Sequence, residues 1–173
     1  MDAVVRPHES EFHESYHRYV VRVPEGNIVA ILRAQMKESS ALLERVDAER
    51  SGYRYAPGKW SVKEVVGHVY DMEWVFTARA LSFARGLAAP MPGVEQDDFI
   101  AVANFERQTL PALLSQWRDL RAANTSLFET FDADTWKRTG VASDYSVSVR
   151  ALAYIIAGHE RHHMAILRER YLG

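Results

Sequence analysis

Seven histidines carry most of the chemistry that this 173-residue chain can offer. The densest group stands near the C-terminus, in the run Ile155-Ile156-Ala157-Gly158-His159-Glu160-Arg161-His162-His163. At about 100° per residue, Leu152, Ile155, Ile156, Ile166 and Leu167 define one apolar helix stripe. His159 and His163 point within roughly 20° of its centre, and His162 about 80° away. Two imidazoles at i and i+4, aimed inward from one helix, can grip a single cation. The alternative is a pair of satisfied core histidines, each neutral ring then needing a donor and an acceptor partner. His68 lies on the flank of a second stripe, made by Val62, Val65, Val66, Val69, Met72 and Phe76, and so turns toward a neighbouring helix. Alone it reads as a partly buried structural histidine. Beside His159 and His163 it completes a three-histidine site with a position open for water or substrate.

His159 to His163 also spell H-E-x-x-H, in which a zinc protease uses the glutamate as general base. His13-Glu14-Ser15-Tyr16-His17 spells the same pattern, so the chain holds its own example of how cheaply it arises; His13 and His17 are expected on an exposed polar face. Too little chain follows His163 to supply a downstream third ligand. Among nearby carboxylates, Asp71 and Glu73 follow His68, but Asp71 faces away from the stripe onto solvated surface. Glu160 is a candidate for orienting a ligand histidine from outside. No catalytic acid or base is assigned.

The elements that must position these residues are marked by sparse punctuation. Helical spacing runs through NIVAILRAQMKESSALLERV after Pro24 and Gly26. A second helix begins at Ser61, whose spacing to Glu64 is that of a capping box, and runs to Arg85 or Gly86. A third periodic stretch covers Phe105 to Phe131. After a connector at Gly140 to Asp144, Ser146 can cap a last helix from Val147 to Tyr171. No strand pair or repeat is evident. Phe12, Tyr16, Tyr19 and Val20 can dock a short N-terminal arm or helix, with coil as the alternative. The expected fold is all-α, a four-helix bundle in a single domain over residues 1–173.

Composition narrows the chemistry. A hydrophobic fraction of 47% and a charged fraction of 25% are those of an ordinary folded protein. A net charge of −2, from 21 basic and 23 acidic side chains, is no electrostatic footprint for nucleic acid. The absence of cysteine removes disulfides, thiolate metal sites and cysteine nucleophiles. Any metal must therefore be held by His, Asp or Glu. The polar start, MDAVVRPHESEFHESYH, does not resemble a signal peptide, and no window approaches about 18 uncharged apolar residues. A cytoplasmic location without membrane contact is expected.

The segments YAPGKWSVKEVVGHVYDMEW and AYIIAGHERHHMAILRERYL, with HRYVVRVPEGNIV and LPALLSQWRDLR, resemble the DinB-like superfamily of metal-binding four-helix bundles. The W-S-x-x-E-x-x-x-H arrangement followed by a C-terminal H-x-x-x-H carries the likeness. The resemblance implies a divalent metal on His68, His159 and His163, and a homodimer. It also implies kinship with S-transferases that use low-molecular-weight thiols such as bacillithiol or mycothiol, acting on small electrophiles. Three imidazoles suit Zn, Ni or Fe, and Cu as well. The leading expectation is metal-dependent thiol S-transfer; the alternatives are metal-dependent hydrolysis and a non-catalytic metal-binding stress-response module. Trp60, Tyr53 and Tyr55 can wall the entrance to a metal pocket or simply pack the loop before the second helix. A strip on that helix, Tyr70, Trp74 and Leu81, diverges from the core stripe and needs cover from the N-terminal arm or from a second subunit.

Overall fold

Four long helices begin where capping side chains stand, in the computed structural model, which describes residues 4–172. The arm forms two 3-10 turns, Glu9–Glu11 and Glu14–Tyr16, and the short α1 (His17–Val20). Then come α2 (Ile28–Leu43), α3 (Ala48–Ser51), α4 (Val62–Ala84), α5 (Gln96–Ala103), a 3-10 turn at Phe105–Arg107, α6 (Leu110–Glu129) and α7 (Ala133–Lys137). A hairpin of β1 (Thr139–Ala142) and β2 (Tyr145–Ser148) leads into α8 (Val149–Ile166), which widens into a π-helical stretch, Leu167–Leu172. Asn27 caps α2, Thr109 caps α6, and Ser61 forms a reciprocal capping box with Glu64 at α4. Each such cap stabilises its helix by about 1 kcal/mol.

The expected bundle is present, with an order that simple up-and-down connection does not produce. Helix α4 packs against α8 and α6, while α2 packs against α6 and α8. The pairs α2/α4 and α6/α8 therefore sit across the diagonals. Residues 44–61 and 130–148 make the connections that cross the bundle ends, and they carry α3, α7 and the hairpin.

That hairpin corrects the sequence reading, which found no strand pair and started the last helix at Val147. Thr139 pairs with Ser148 and Ala142 with Tyr145 in an antiparallel ladder. The turn residues Ser143 and Asp144 both take positive φ, 52° and 67°. This is the mirror-image turn that suits tight hairpins, built without the Asn-Gly or Asp-Gly pair that usually announces it. Ser146 is thereby held in β2, and Ser148 caps α8 instead.

The arm docks on α8 at Gly158, where a Cβ would stand 2.0 Å from the Tyr19 carbonyl oxygen, so only glycine permits the contact. Phe12, Tyr19 and Val20 are buried there. Trp74 and Leu81 stay 53% and 40% exposed, so the arm does not cover the second α4 strip. Among the described residues, no helix is long and apolar enough to cross a membrane.

The core divides into two apolar clusters. One gathers Ile28, Leu32, Phe76, Ala80, Phe128, Leu152 and Ile156, and the other Met36, Val62, Val66, Leu114, Trp117, Met164 and Leu167. Between them along all four long helices lie the buried polar residues Gln35, Ser39, His68, Glu73, Arg121, Asn124, His159 and Glu160. The candidate site belongs to this polar layer.

Candidate metal centre

Helices α4 and α8 bring His68, His159 and His163 together. Each offers one ring nitrogen, and the three nitrogens lie within 4.8 Å of one another. His68 Nε2 and His159 Nε2 face each other at 3.0 Å. Ring centroids are 4.5 Å apart for His159–His163 and 4.8 Å for His68–His163. His68 and His159 are buried, and His163 is half-buried. The ring of His162 packs 5.0 Å from that of His163 and 5.4 Å from that of Tyr19, outside the group of three. His13 stacks on Tyr145 and His17 lies 3.5 Å from Glu9, so the N-terminal H-E-x-x-H does not converge on a point.

Electrostatics keeps these rings neutral. Burial pushes His68 down to about 4, with the neighbouring His162 adding to the effect. Burial, then His68, His162 and Arg18, takes His163 to about 2. His159 is lowered well below its ordinary value by burial and then by His163 and His68. A neutral imidazole presents a lone pair, the state a metal ligand needs. Three such nitrogens on one point, with no proton to share among them at neutral pH beyond their own N–H, suit a divalent cation of the borderline class.

A pH dependence follows for the metal-free protein. Its folded histidines titrate below the ordinary 6.5, so the unfolded chain binds more protons as pH falls from 6.5 toward 4. Stability is therefore lost on acidification in that window, by up to about 1.4 kcal/mol per pH unit for each group. Asp71 works in the opposite sense. It is half-buried rather than solvated, and burial raises its carboxyl from 3.8 to about 6, offsetting one of the three protons. For Glu11 and Glu64 burial is the largest single influence and raises the carboxyl, but hydrogen bonds and the charges of Arg150 and Arg54 together outweigh it, so both are lowered from 4.5. Urea midpoints of chelator-treated protein should fall from pH 6.5 to 4.5. A flat profile there would contradict the desolvation of the three rings.

A recess of about 310 Å³ reaches His163. Trp60, Tyr55 and Tyr171 wall it, and Lys59 and Asp97 stand at its rim. The Trp60 ring also packs 4.9 Å from His68, and the Tyr171 hydroxyl donates to the Trp60 carbonyl at 2.8 Å. Trp60 and Tyr55 thus take the wall positions that were one of two alternatives for them. Tyr53 does not; it packs edge-on against Tyr171. Tyr171 was not foreseen, and it reaches the recess from the π-helical end of α8. A larger groove of about 570 Å³ between α2 and α6 is lined by none of the three histidines.

Glu160 turns away from the role suggested for it. Its carboxylate accepts from Ser39 Oγ at 2.6 Å and from Arg121 Nη2 at 2.8 Å. Glu73 meets the same guanidinium through two bonds of 2.7 Å, and also accepts from Trp117 Nε1 and Asn124 Nδ2. These carboxylates belong to a buried charge network, and the centre itself is imidazole only.

Residues 31–167 match the family described as the DinB superfamily. Among curated proteins, none matches the sequence. YfiT from Bacillus subtilis, described as a probable metal-dependent hydrolase with an unusual four-helix bundle topology, aligns with a TM-score of 0.71 at 17% identity, over 95% of this chain and 90% of that one. A mycothiol-dependent maleylpyruvate isomerase aligns with a TM-score of 0.67 at 15% identity, over 84% of this chain. This chain spans 61% of the isomerase's length. At these identities the likeness is one of fold.

Proposed function

The chain belongs to the DinB superfamily, and from that premise we propose that it is a divalent-metal-dependent enzyme transferring a small thiol to an electrophile. The observation that carries this reading is the convergence of three neutral imidazoles beside a walled recess. His68, His159 and His163 would hold the ion. When bound, a dication on three neutral ligands supplies Lewis acidity that brings a coordinated thiol or water toward a neutral pKa. The recess walls, Trp60, Tyr55 and Tyr171, exclude water from one side of the centre and offer apolar faces to a cosubstrate. Lys59 and Asp97 offer one charge of each sign for its polar ends. The chain has no cysteine, so the nucleophilic sulfur has to arrive with that cosubstrate. The mycothiol-dependent isomerase lends support from the same fold.

Hydrolysis is the second reading, favoured by the near full-length likeness to YfiT. Cobalt-loaded protein separates the two. Addition of 2-mercaptoethanol should shift the visible spectrum and release a proton, with both effects lost in His159→Ala. A spectrum indifferent to thiols but altered by acetate would favour hydrolysis, and one indifferent to both would leave a structural ion. The exposed Trp74 and Leu81 strip fits contact with a second copy of the chain, and sedimentation of the same sample reads that mass.

A further inference from the structure

Arg22, Arg161 and Arg168 have no carboxylate within ion-pair distance among the described residues, and they are brought to one place. All three line one recess of about 300 Å³. Arg22 comes from the turn after α1, Arg161 from α8 and Arg168 from its π-helical extension. The floor includes the buried polar side chains Gln35 and Ser39 of α2.

The recess is held in shape by bonds that leave its charge unspent. Gln35 Nε2 donates to the Ala157 carbonyl at 2.9 Å, which fixes the amide so that its Oε1 accepts from Arg161 Nε at 2.9 Å. Arg22 Nε donates to the Arg18 carbonyl at 3.1 Å. Both guanidiniums are thus anchored through Nε, with their Nη groups free to face a ligand. Two carboxylates also line the recess. Glu160 shares the Arg121 cation with Glu73, and Glu38 is exposed. Three guanidiniums against two carboxylates leave an excess of one positive charge around the hollow. Like charges lining one hollow repel, and an anion among them relieves that repulsion. The planar fork of each guanidinium matches phosphate oxygens, and a cavity of this size admits a small molecule but no helix or duplex.

We propose that the recess between α1, α2 and α8 binds a small soluble molecule bearing a dianionic phosphate, held by Arg22, Arg161 and Arg168. The ligand would tie the arm to α8. The same arm carries Tyr19, whose ring stands edge-on to His159 at 5.2 Å, so occupancy also holds one wall of the histidine cluster in place.

Calorimetric titration of the full chain with inorganic pyrophosphate, at fixed ionic strength, tests this. Saturable binding is expected, weakened at least tenfold in Arg161→Gln/Arg168→Gln and in Arg22→Gln, and unchanged in Arg107→Gln. Binding should persist in His159→Ala, which keeps the result separate from the metal reading. Absence of saturable binding, equal weakening by Arg107→Gln, or loss in His159→Ala would overturn the proposal. So would uptake onto phosphatidate vesicles without binding of the soluble anion, which would reassign the arginines to a lipid surface.

Discussion

His159→Ala should abolish tight divalent-ion binding, lowering affinity by more than the ten- to hundredfold that loss of an outer partner costs. The ring is buried between α4 and α8, 3.0 Å from His68 and packed against His163, so no other donor of the group can swing into its place. His68→Ala and His163→Ala should behave alike. His162→Ala should hold its metal within a few-fold, because that ring packs against Tyr19 and the outer side of His163. Chelator competition on protein purified without a polyhistidine tag measures all four. A protein that loses its ion in His162→Ala and keeps it in His163→Ala would show that the register of α8 assigned to the ligands is wrong. Metal-free His159→Ala should be less stable to urea than metal-free parent near pH 7, since deleting a buried neutral ring leaves a cavity, and the gap should narrow on acidification because the parent ring resists protonation.

The histidine cluster was legible because helical geometry is. Residues at i and i+4 share a face, and the apolar stripe of α8 says which face is inward, so His159 and His163 could be aimed before any coordinates. His68 needed the second helix and the resemblance to join them. Boundaries were readable where a side-chain cap carries the start, as at Ser61, and misread where two serines competed. Ser146 and Ser148 both precede the last helix, and the hairpin that decides between them is closed by Ser143-Asp144, a weak turn signal. The diagonal order of the helices has no local signature at all. It is a property of which faces meet, and loop length does not mark it, since residues 85–109 join the neighbouring helices α4 and α6.

The buried charge network was the larger omission, and its signal was present. Val62, Val66, Val69, Glu73, Phe76 and Ala80 follow one core face of α4, as Leu114, Trp117, Arg121, Asn124 and Phe128 do on α6. A glutamate and an arginine standing at core positions of two helices require each other, because neither can be buried alone. Position along the chain presents Glu73 and Glu160 as neighbours of the histidines, and only the periodicity of the facing helix reveals their partner.

Arg121→Met should destabilise the protein by about 3–5 kcal/mol, the range for removing one partner of a buried ion pair. Arg121 is 2% exposed, Glu73 2% and Glu160 0%. Burial opposes the guanidinium charge, yet Glu160 and Glu73 beside it raise its pKa above the ordinary arginine value. Its Nη1 also donates to the Leu32 carbonyl at 2.9 Å, so one side chain ties α2, α4 and α8 to α6. Without it two carboxylates remain in the core with no cation between them. Glu73 would still accept from Trp117 and Asn124, and Glu160 from Ser39. The stranded quantity is therefore charge more than hydrogen bonding. Adding Glu160→Gln to Arg121→Met should recover part of the loss, because an amide can still accept from Ser39 while ending the repulsion. Acid should do the same. The stranded carboxylates take a raised pKa, so the folded variant binds more protons than its unfolded chain, and the gap to the parent narrows as pH falls from 7 to 5. Urea unfolding of metal-free parent, both single variants and the double variant closes the cycle. If the losses from Arg121→Met and Glu160→Gln simply add, and the gap is the same at both pH values, then the two charges do not act on each other in the folded protein.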